Sequence, residues 1–151
     1  MLAAMNAALP APAEVWRAIA TYLAVAHDGA EPPAVAARLA RLRAVPDEAF
    51  YACDAFERAG ERLALRLGNR FYPHMKLVLE PAPDGPCHFR VDTHDRHFLD
   101  LVAPGDPGLA ELMERNTALA RAVEDAWAAA GIRTTREHWR DALARWHASH
   151  P

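Results

Sequence analysis

The sequence predicts an α+β fold, in which a three-stranded antiparallel meander has one face covered by about five helices. Two changes of pattern carry this prediction. Apolar residues recur at helical spacing before residue 60 and after residue 106, whereas between residues 63 and 94 they alternate with polar ones, as in strands with one wet face. The length of 151 residues suits one domain. We therefore expect a flexible N-terminal tail over residues 1–12 and a single domain over residues 13–148.

Three helices are predicted in the N-terminal part of the domain. The first covers residues 13–28 and stops at Gly29, and the second covers residues 33–44. The third begins at Pro46, because proline suits the first helical position and the acids that follow suit the positive end of the helix dipole. Phe50, Cys53 and Phe56 are expected on its inner face, and Gly60 is expected to end it.

Two further helices are predicted near the C-terminus. Because only a short link joins them, we expect them to form an antiparallel helical hairpin. Asp106 caps the first, over residues 107–130, and Thr134 with Glu137 forms a capping box for the second. Asn116 interrupts the apolar seam of the first helix, so we expect it to set the register of the seam or to bond a loop backbone. The seam comprises Leu109, Leu112, Asn116, Leu119, Val123, Ala126 and Ala130.

The strands are predicted around Leu63–Leu67, over Phe71–Glu80 and over His88–His94. Their register follows from matching the apolar faces, because a slip of one residue would bury the polar set instead. In the first hairpin this rule pairs Leu67 with Phe71 and Leu63 with Met75. In the second hairpin the predicted pairs are Leu79–Phe89, Leu77–Val91, Glu80–His88, Val78–Arg90, Lys76–Asp92 and His74–His94.

Composition excludes several classes of function. The net charge of −3 gives no attraction to nucleic acid or to anionic lipid, and no apolar run is long enough to cross a membrane. The only serine is Ser149, near the C-terminus, so a serine hydrolase is excluded. No glycine motif of a nucleotide site is present. Two cysteines and an N-terminus without a basic start favour a cytoplasmic protein, and the abundance of Ala, Arg and Pro indicates a GC-rich genome.

One segment has the residue types of a metal site. Four of the eight histidines lie between His74 and His97. Opposed residues in an antiparallel pair are about 5 Å apart at Cβ, so His74 and His94 can reach a common ion, with Asp92 as third ligand. Two histidines and a carboxylate with an open position suit hydrolytic zinc or oxygenase iron. Asp95 and His97 are then the accessory catalytic groups, and Lys76, the only lysine, is an electrostatic helper.

A second hypothesis explains the same residues without chemistry. In it, Lys76–Asp92 and Glu80–His88 are ordinary salt bridges, and the chain is a non-catalytic module for protein interaction or homodimerisation. Free sheet edges and the long seam of the C-terminal helix favour a homodimer. Nucleic acid and membranes are not expected partners, and the sequence identifies no small-molecule ligand. Both hypotheses remain open at the level of sequence, and so does the question whether the protein is an enzyme.

Overall fold

A computed structural model describes residues 9–82, 85–93, 107–134 and 148–149. Within these ranges the fold is α+β, and it combines helices with a four-stranded antiparallel sheet in the order β1-β2-β3-β4. The α-helices are α1 (Pro12–Ala26), α2 (Pro33–Ala44) and α3 (Pro107–Ala129), and a 3-10 helix covers Asp47–Ala52. The strands are β1 (Phe56–Ala59), β2 (Arg62–Arg66), β3 (Lys76–Ala82) and β4 (Gly85–Asp92).

The three α-helices confirm the predictions made from helical periodicity. Each of α1 and α2 has a proline at its start, where a missing N–H costs nothing. The helix α1 ends at Ala26 with His27 as its C-cap, and Asp28 and Gly29 then take positive φ angles. The middle of the predicted seam of α3 faces the core, because Asn116 and Val123 are completely buried, whereas Ala126 is half-buried and Ala130 is exposed. The second helix of the predicted C-terminal hairpin lies outside the described residues.

The third predicted helix is wrong, and with it the count of three strands. Only the six residues Asp47–Ala52 are helical, and the segment that follows is β1, which pairs with β2 through Phe56↔Leu65 and Ala59↔Arg62. Gly60 does not end a helix. It is the first central residue of a two-residue hairpin turn, where its φ of +61° matches a type II′ turn.

The two predicted hairpins of the meander have different outcomes. The β3–β4 register is confirmed, with Leu77↔Val91, Glu80↔His88 and Lys76↔Asp92 as expected. The register predicted for the first hairpin is wrong by four residues, because Leu63 pairs with Leu79 rather than with Met75. Nine residues, 67–75, connect β2 to β3, and they form a loop where the prediction placed a tight turn and the start of a strand.

The core lies between one face of the sheet and the helices. The apolar residues of β2, β3 and β4 cluster there with α1, α2 and α3, and the indole N–H of Trp127 donates to the backbone oxygen of Ala18. The edge of β4 is also bonded: Phe89 N–H donates to Arg133 O, and the Glu124 carboxylate accepts the N–H of Val91 at 2.8 Å. Since β1 pairs with β2 alone among the described residues, β1 is the outer strand at the opposite side of the sheet.

The other face of the sheet carries the polar residues, and part of it is buried as well. Val78, His88 and Arg90 are each less than one-tenth exposed. This face is therefore not the open polar surface that a one-sided meander would have. Several of its charged groups are paired with one another.

Candidate functional site

The six residues predicted to carry chemistry fall into two groups. Lys76 is the first residue of β3, Asp92 is the last of β4, and the two are directly opposite each other, as predicted. His74 lies in a turn two residues before β3, not within a strand. The other three candidates, His94, Asp95 and His97, lie outside the described residues. The facing of His74 and His94 therefore stays a prediction.

His74 is half-buried beside Tyr72. The two ring centroids are 5.3 Å apart, and the rings meet edge to face. The Nδ1 atom of His74 is buried and has no hydrogen-bond partner. An imidazole nitrogen in that condition lacks either an acceptor for its proton or an acid or cation for its lone pair. Among the described residues, no group of three or more His, Cys, Asp or Glu side chains could hold a metal ion.

Lys76 is held by a carboxylate that the sequence did not identify. Its side chain is only 15% exposed, and Nζ lies 3.5 Å from Oε1 of Glu57. The same oxygen lies 3.2 Å from a guanidinium nitrogen of Arg66. Glu57 belongs to β1, which was predicted as helix, so the pattern gave no reason to place it on this face.

The loop of residues 67–75, called the 67–75 loop below, is fastened to α1 at several points. The Tyr22 hydroxyl, which is fully buried, donates to the backbone oxygen of Gly68 at 2.6 Å. Nε2 of His27 lies 2.8 Å from the backbone oxygen of Leu67, and the guanidinium of Arg70 donates to Val25 O at 3.1 Å. Such bonds hold the backbone of this long loop in one conformation, whereas a loop without them would be mobile.

Two asparagines hold the inside of the same loop. Oδ1 of Asn69 accepts the backbone N–H groups of Phe71 and Tyr72 at 2.7 and 2.8 Å, as an Asx turn does. Nδ2 of Asn69 donates to Oδ1 of Asn116 on α3 at 2.9 Å. Asn116 was expected to bond a loop backbone, but it bonds the loop through the Asn69 side chain instead. Nδ2 of Asn116 is buried without a hydrogen-bond partner.

At the outer side of the loop, an aromatic ring lies between two arginines. Phe71 is 43% exposed, and it is the one large apolar side chain that is exposed in the described part of the chain. The guanidinium carbons of Arg70 and Arg115 lie 5.2 and 5.1 Å from its ring centroid. Arg70, Phe71 and Arg115 are called the Phe71 patch below. Cation–π contacts of this kind stabilise the position of the ring.

A second charged group lies further along the polar face. Oε1 of Glu80 is 3.1 Å from Nε2 of His88 and 3.0 Å from Nε of Arg90, so the predicted Glu80–His88 pair is present. All three side chains are mostly buried. Burial, and then the charge of Glu80, raise the pKa of Cys87. A cysteine in this environment is a protonated core residue and not an activated thiol.

Comparisons with known proteins add no functional information. The chain matches no protein-family model, no curated protein and no solved structure at significant similarity. No helix in the described ranges is long and apolar enough to span a membrane. The geometry defines an α+β protein with a loop that is hydrogen-bonded to α1 and α3 and with two groups of paired charges beside its sheet, one of which is mostly buried.

Proposed function

We propose that the chain is a non-catalytic interaction module that forms a homodimer through the Phe71 patch. The observation that carries this proposal is the exposure of Phe71 at the outer side of a loop that is bonded to both α1 and α3. Aromatic and arginine side chains are the types enriched at the centres of protein interfaces, where they contribute most of the binding energy. Rigid presentation lowers the entropy lost on binding.

Two other surfaces that the sequence suggested are less suitable. The middle of the apolar seam of α3 is used within the chain, where Leu119 and Val123 are buried in the core. The outer strand β1 has only four residues, among them the charged Glu57 and Arg58. Short, charged edge strands are the usual protection against pairing with another sheet. The Phe71 patch is therefore the surface that best supports a symmetric contact.

Sedimentation analysis between about 5 and 100 μM tests the proposal, because interfaces of weak homodimers dissociate in this range. We expect a dimer for the wild-type chain and a monomer for Phe71→Asp. This substitution places a charge at the position that the proposed dimer interface would bury. Ala20→Asp, which adds the same charge at an exposed position of α1, is the matched control and should remain dimeric. A wild-type monomer at 100 μM, or a dimer that survives Phe71→Asp, would contradict the proposal.

A metal-dependent activity is the second candidate. It is supported by the buried, unbonded Nδ1 of His74 and by the position of Asp92 at the same end of the sheet. The full proposal has His74, Asp92 and His94 as ligands of zinc or iron, with Asp95 and His97 as accessory groups and Lys76 as electrostatic helper. Histidine ligands must be neutral, so metal binding should weaken as the pH is lowered.

Titration with zinc, iron and manganese separates this candidate from the first. We expect His74→Ala and His94→Ala to abolish binding, whereas His147→Ala, outside the segment from His74 to His97, should not. If no metal binds with a dissociation constant below the millimolar range, the metal hypothesis is wrong, and the homodimer proposal is unaffected.

The cellular location is proposed on separate grounds. Cys53 and Cys87 are both buried as free thiols. Two thiols that are not joined in a disulfide fit a reducing compartment, so we propose a cytoplasmic location. Mass analysis after thiol labelling of protein isolated under native conditions should find both cysteines reduced.

A further inference from the structure

A group of cations meets where α2 passes the end of β2. Arg66 and Lys76 are register partners on neighbouring strands, so their side chains project side by side from one face of the sheet. The guanidinium of Arg38 on α2 donates to the backbone oxygen of Arg66 at 2.5 Å. Arg38, Arg66 and Lys76 are called the cation cluster below. Like charges directly opposite each other destabilise a sheet unless an anion lies between them.

The anion available within the fold is shared. One oxygen of Glu57 serves both Arg66, at 3.2 Å, and Lys76, at 3.5 Å. Burial lowers the pKa of Arg38, and the nearby charges of Arg66 and Arg41 lower it further, while Glu57 opposes them. The repulsion among these cations is therefore only partly compensated by Glu57.

The surrounding charges do not complete the balance. Arg41 is paired with the exposed Asp54 at 3.3 Å, and Asp92 lies opposite Lys76 on the β4 side. The Nε–H of Arg66 is buried and has no hydrogen-bond partner. The charged groups in this region lie on β1, β2 and the turn between them, at the facing ends of β3 and β4, and at Arg38 and Arg41 of α2 with Asp54 beside them. They are Arg38, Arg41, Arg58, Arg62, Arg66 and Lys76 against Asp54, Glu57, Glu61 and Asp92. Six cations against four carboxylates leave two positive charges in excess.

We propose that the cation cluster binds a phosphate-type oxyanion, either free phosphate or the phosphomonoester of a small metabolite. A tetrahedral oxyanion offers several acceptor oxygens and about two negative charges, which match the excess. Arginine forks bind such oxygens in pairs, and the lysine ammonium adds a point charge. Glu57 remains within the site, where it keeps Arg66 and Lys76 together when the anion is absent.

The test uses the full-length chain labelled with ¹⁵N and the side-chain Nε–Hε signals of its arginines. Inorganic phosphate is titrated at constant ionic strength, with sodium chloride as the compensating salt. We expect a saturable shift of the Arg66 Nε–Hε signal with half-saturation in the millimolar range or below. Arg66→Lys, which lacks that signal, assigns it, and the dispersion of the remaining spectrum confirms that the variant is folded.

Matched variants separate a built site from general attraction. Arg66→Lys and Arg38→Lys keep the charge but remove the planar fork, so each should weaken phosphate binding about tenfold, by a loss of one charge-assisted pair of bonds. Binding to Arg66→Lys is followed through the Nε–Hε signal of Arg38, and binding to Arg38→Lys through that of Arg66. Arg17→Lys, at an exposed ion pair with Glu14, should leave it unchanged. Phosphoserine as the free amino acid should bind like phosphate if phosphomonoesters are the ligands.

Three results would overturn the proposal. The first is a shift that rises linearly with phosphate, or that chloride reproduces at the same ionic strength. The second is an equal loss of binding in Arg17→Lys. The third is binding of a short single-stranded RNA without any saturable binding of phosphate or phosphoserine, which would assign the cluster to a nucleic acid. All three are independent of the oligomeric state.

Discussion

Replacing each of the two linked asparagines should have very different effects on stability. Asn69→Ala removes the acceptor of two backbone N–H groups in the 67–75 loop and also the donor to Oδ1 of Asn116. Each lost bond costs about 1 kcal/mol, and a buried polar atom left without a partner costs about 1–3 kcal/mol. Because the loop N–H of Phe71 is only partly buried and can turn to water, we expect a total near 3 kcal/mol.

Asn116→Leu should be close to neutral, although Asn116 is completely buried. This substitution deprives Nδ2 of Asn69 of its oxygen partner, which costs about 1–3 kcal/mol, but it also removes the unbonded Nδ2 of Asn116 itself, which recovers a similar amount. Nδ2 of Asn69 keeps a contact of 3.3 Å to the sulfur of Met75. The expected change in the free energy of unfolding is within about 1 kcal/mol of zero.

Urea denaturation followed by tryptophan fluorescence measures both changes, with Trp127 in the core as a reporter. The slope of the transition should stay constant, and the midpoint should fall clearly for Asn69→Ala alone. In the double variant the changes in the free energy of unfolding should not add, since both substitutions remove the same hydrogen bond. If Asn116→Leu is as destabilising as Asn69→Ala, the reasoning from unpaired polar groups is refuted.

Three further predictions concern backbone strain, the β4 edge and alkaline pH. Gly68→Ala should cost about 2 kcal/mol or more and Gly60→Ala only about 1–2 kcal/mol in thermal unfolding, because both have positive φ but a Cβ on Gly68 would lie 2.9 Å from a backbone oxygen. Glu124→Gln should destabilise less than Glu124→Ala in the same assay, because an amide oxygen still accepts the N–H of Val91; equal losses would contradict this. Burial raises the pKa of Tyr22 well above 10.0, so the folded state keeps this proton at a pH where the unfolded chain loses it. The contribution to the free energy of unfolding should therefore be complete below pH 10 and fall above it. Absorbance at 295 nm should show this tyrosine ionising only as the chain unfolds.

The sheet shows what alternation in a sequence can determine. It fixes which residues share a face, and for β3 and β4 it also fixed the offset, since Leu77 and Leu79 had to meet Val91 and Phe89. For β2 and β3 several even offsets bury the same residues, and only the length of the 67–75 loop decides among them. A loop of that length is held in place by hydrogen bonds from α1 and α3, and the local sequence pattern does not predict those bonds.

The candidate site was predicted to a similar extent. The adjacency of Lys76 and Asp92 followed from the register, and it is confirmed. The carboxylate of Glu57, which holds Lys76, was not predicted. The segment Phe56–Ala59 has no alternation of apolar and polar residues, and its pattern indicated the end of a helix. Glu57 becomes part of the site only through pairing of β1 with β2, a contact that its own segment does not encode.

The cost of ordering the 67–75 loop supports a role for it beyond connection. Two residues suffice to join antiparallel strands, as the turn at Gly60 does between β1 and β2. Each residue held in a fixed conformation loses backbone entropy, and bonds from Tyr22, His27 and Asn116 offset part of that cost for this loop. Those bonds hold Phe71 at the surface and His74 at the end of β3. A loop that only connected two strands would need neither position, so the ordering of this one is best explained by what it presents.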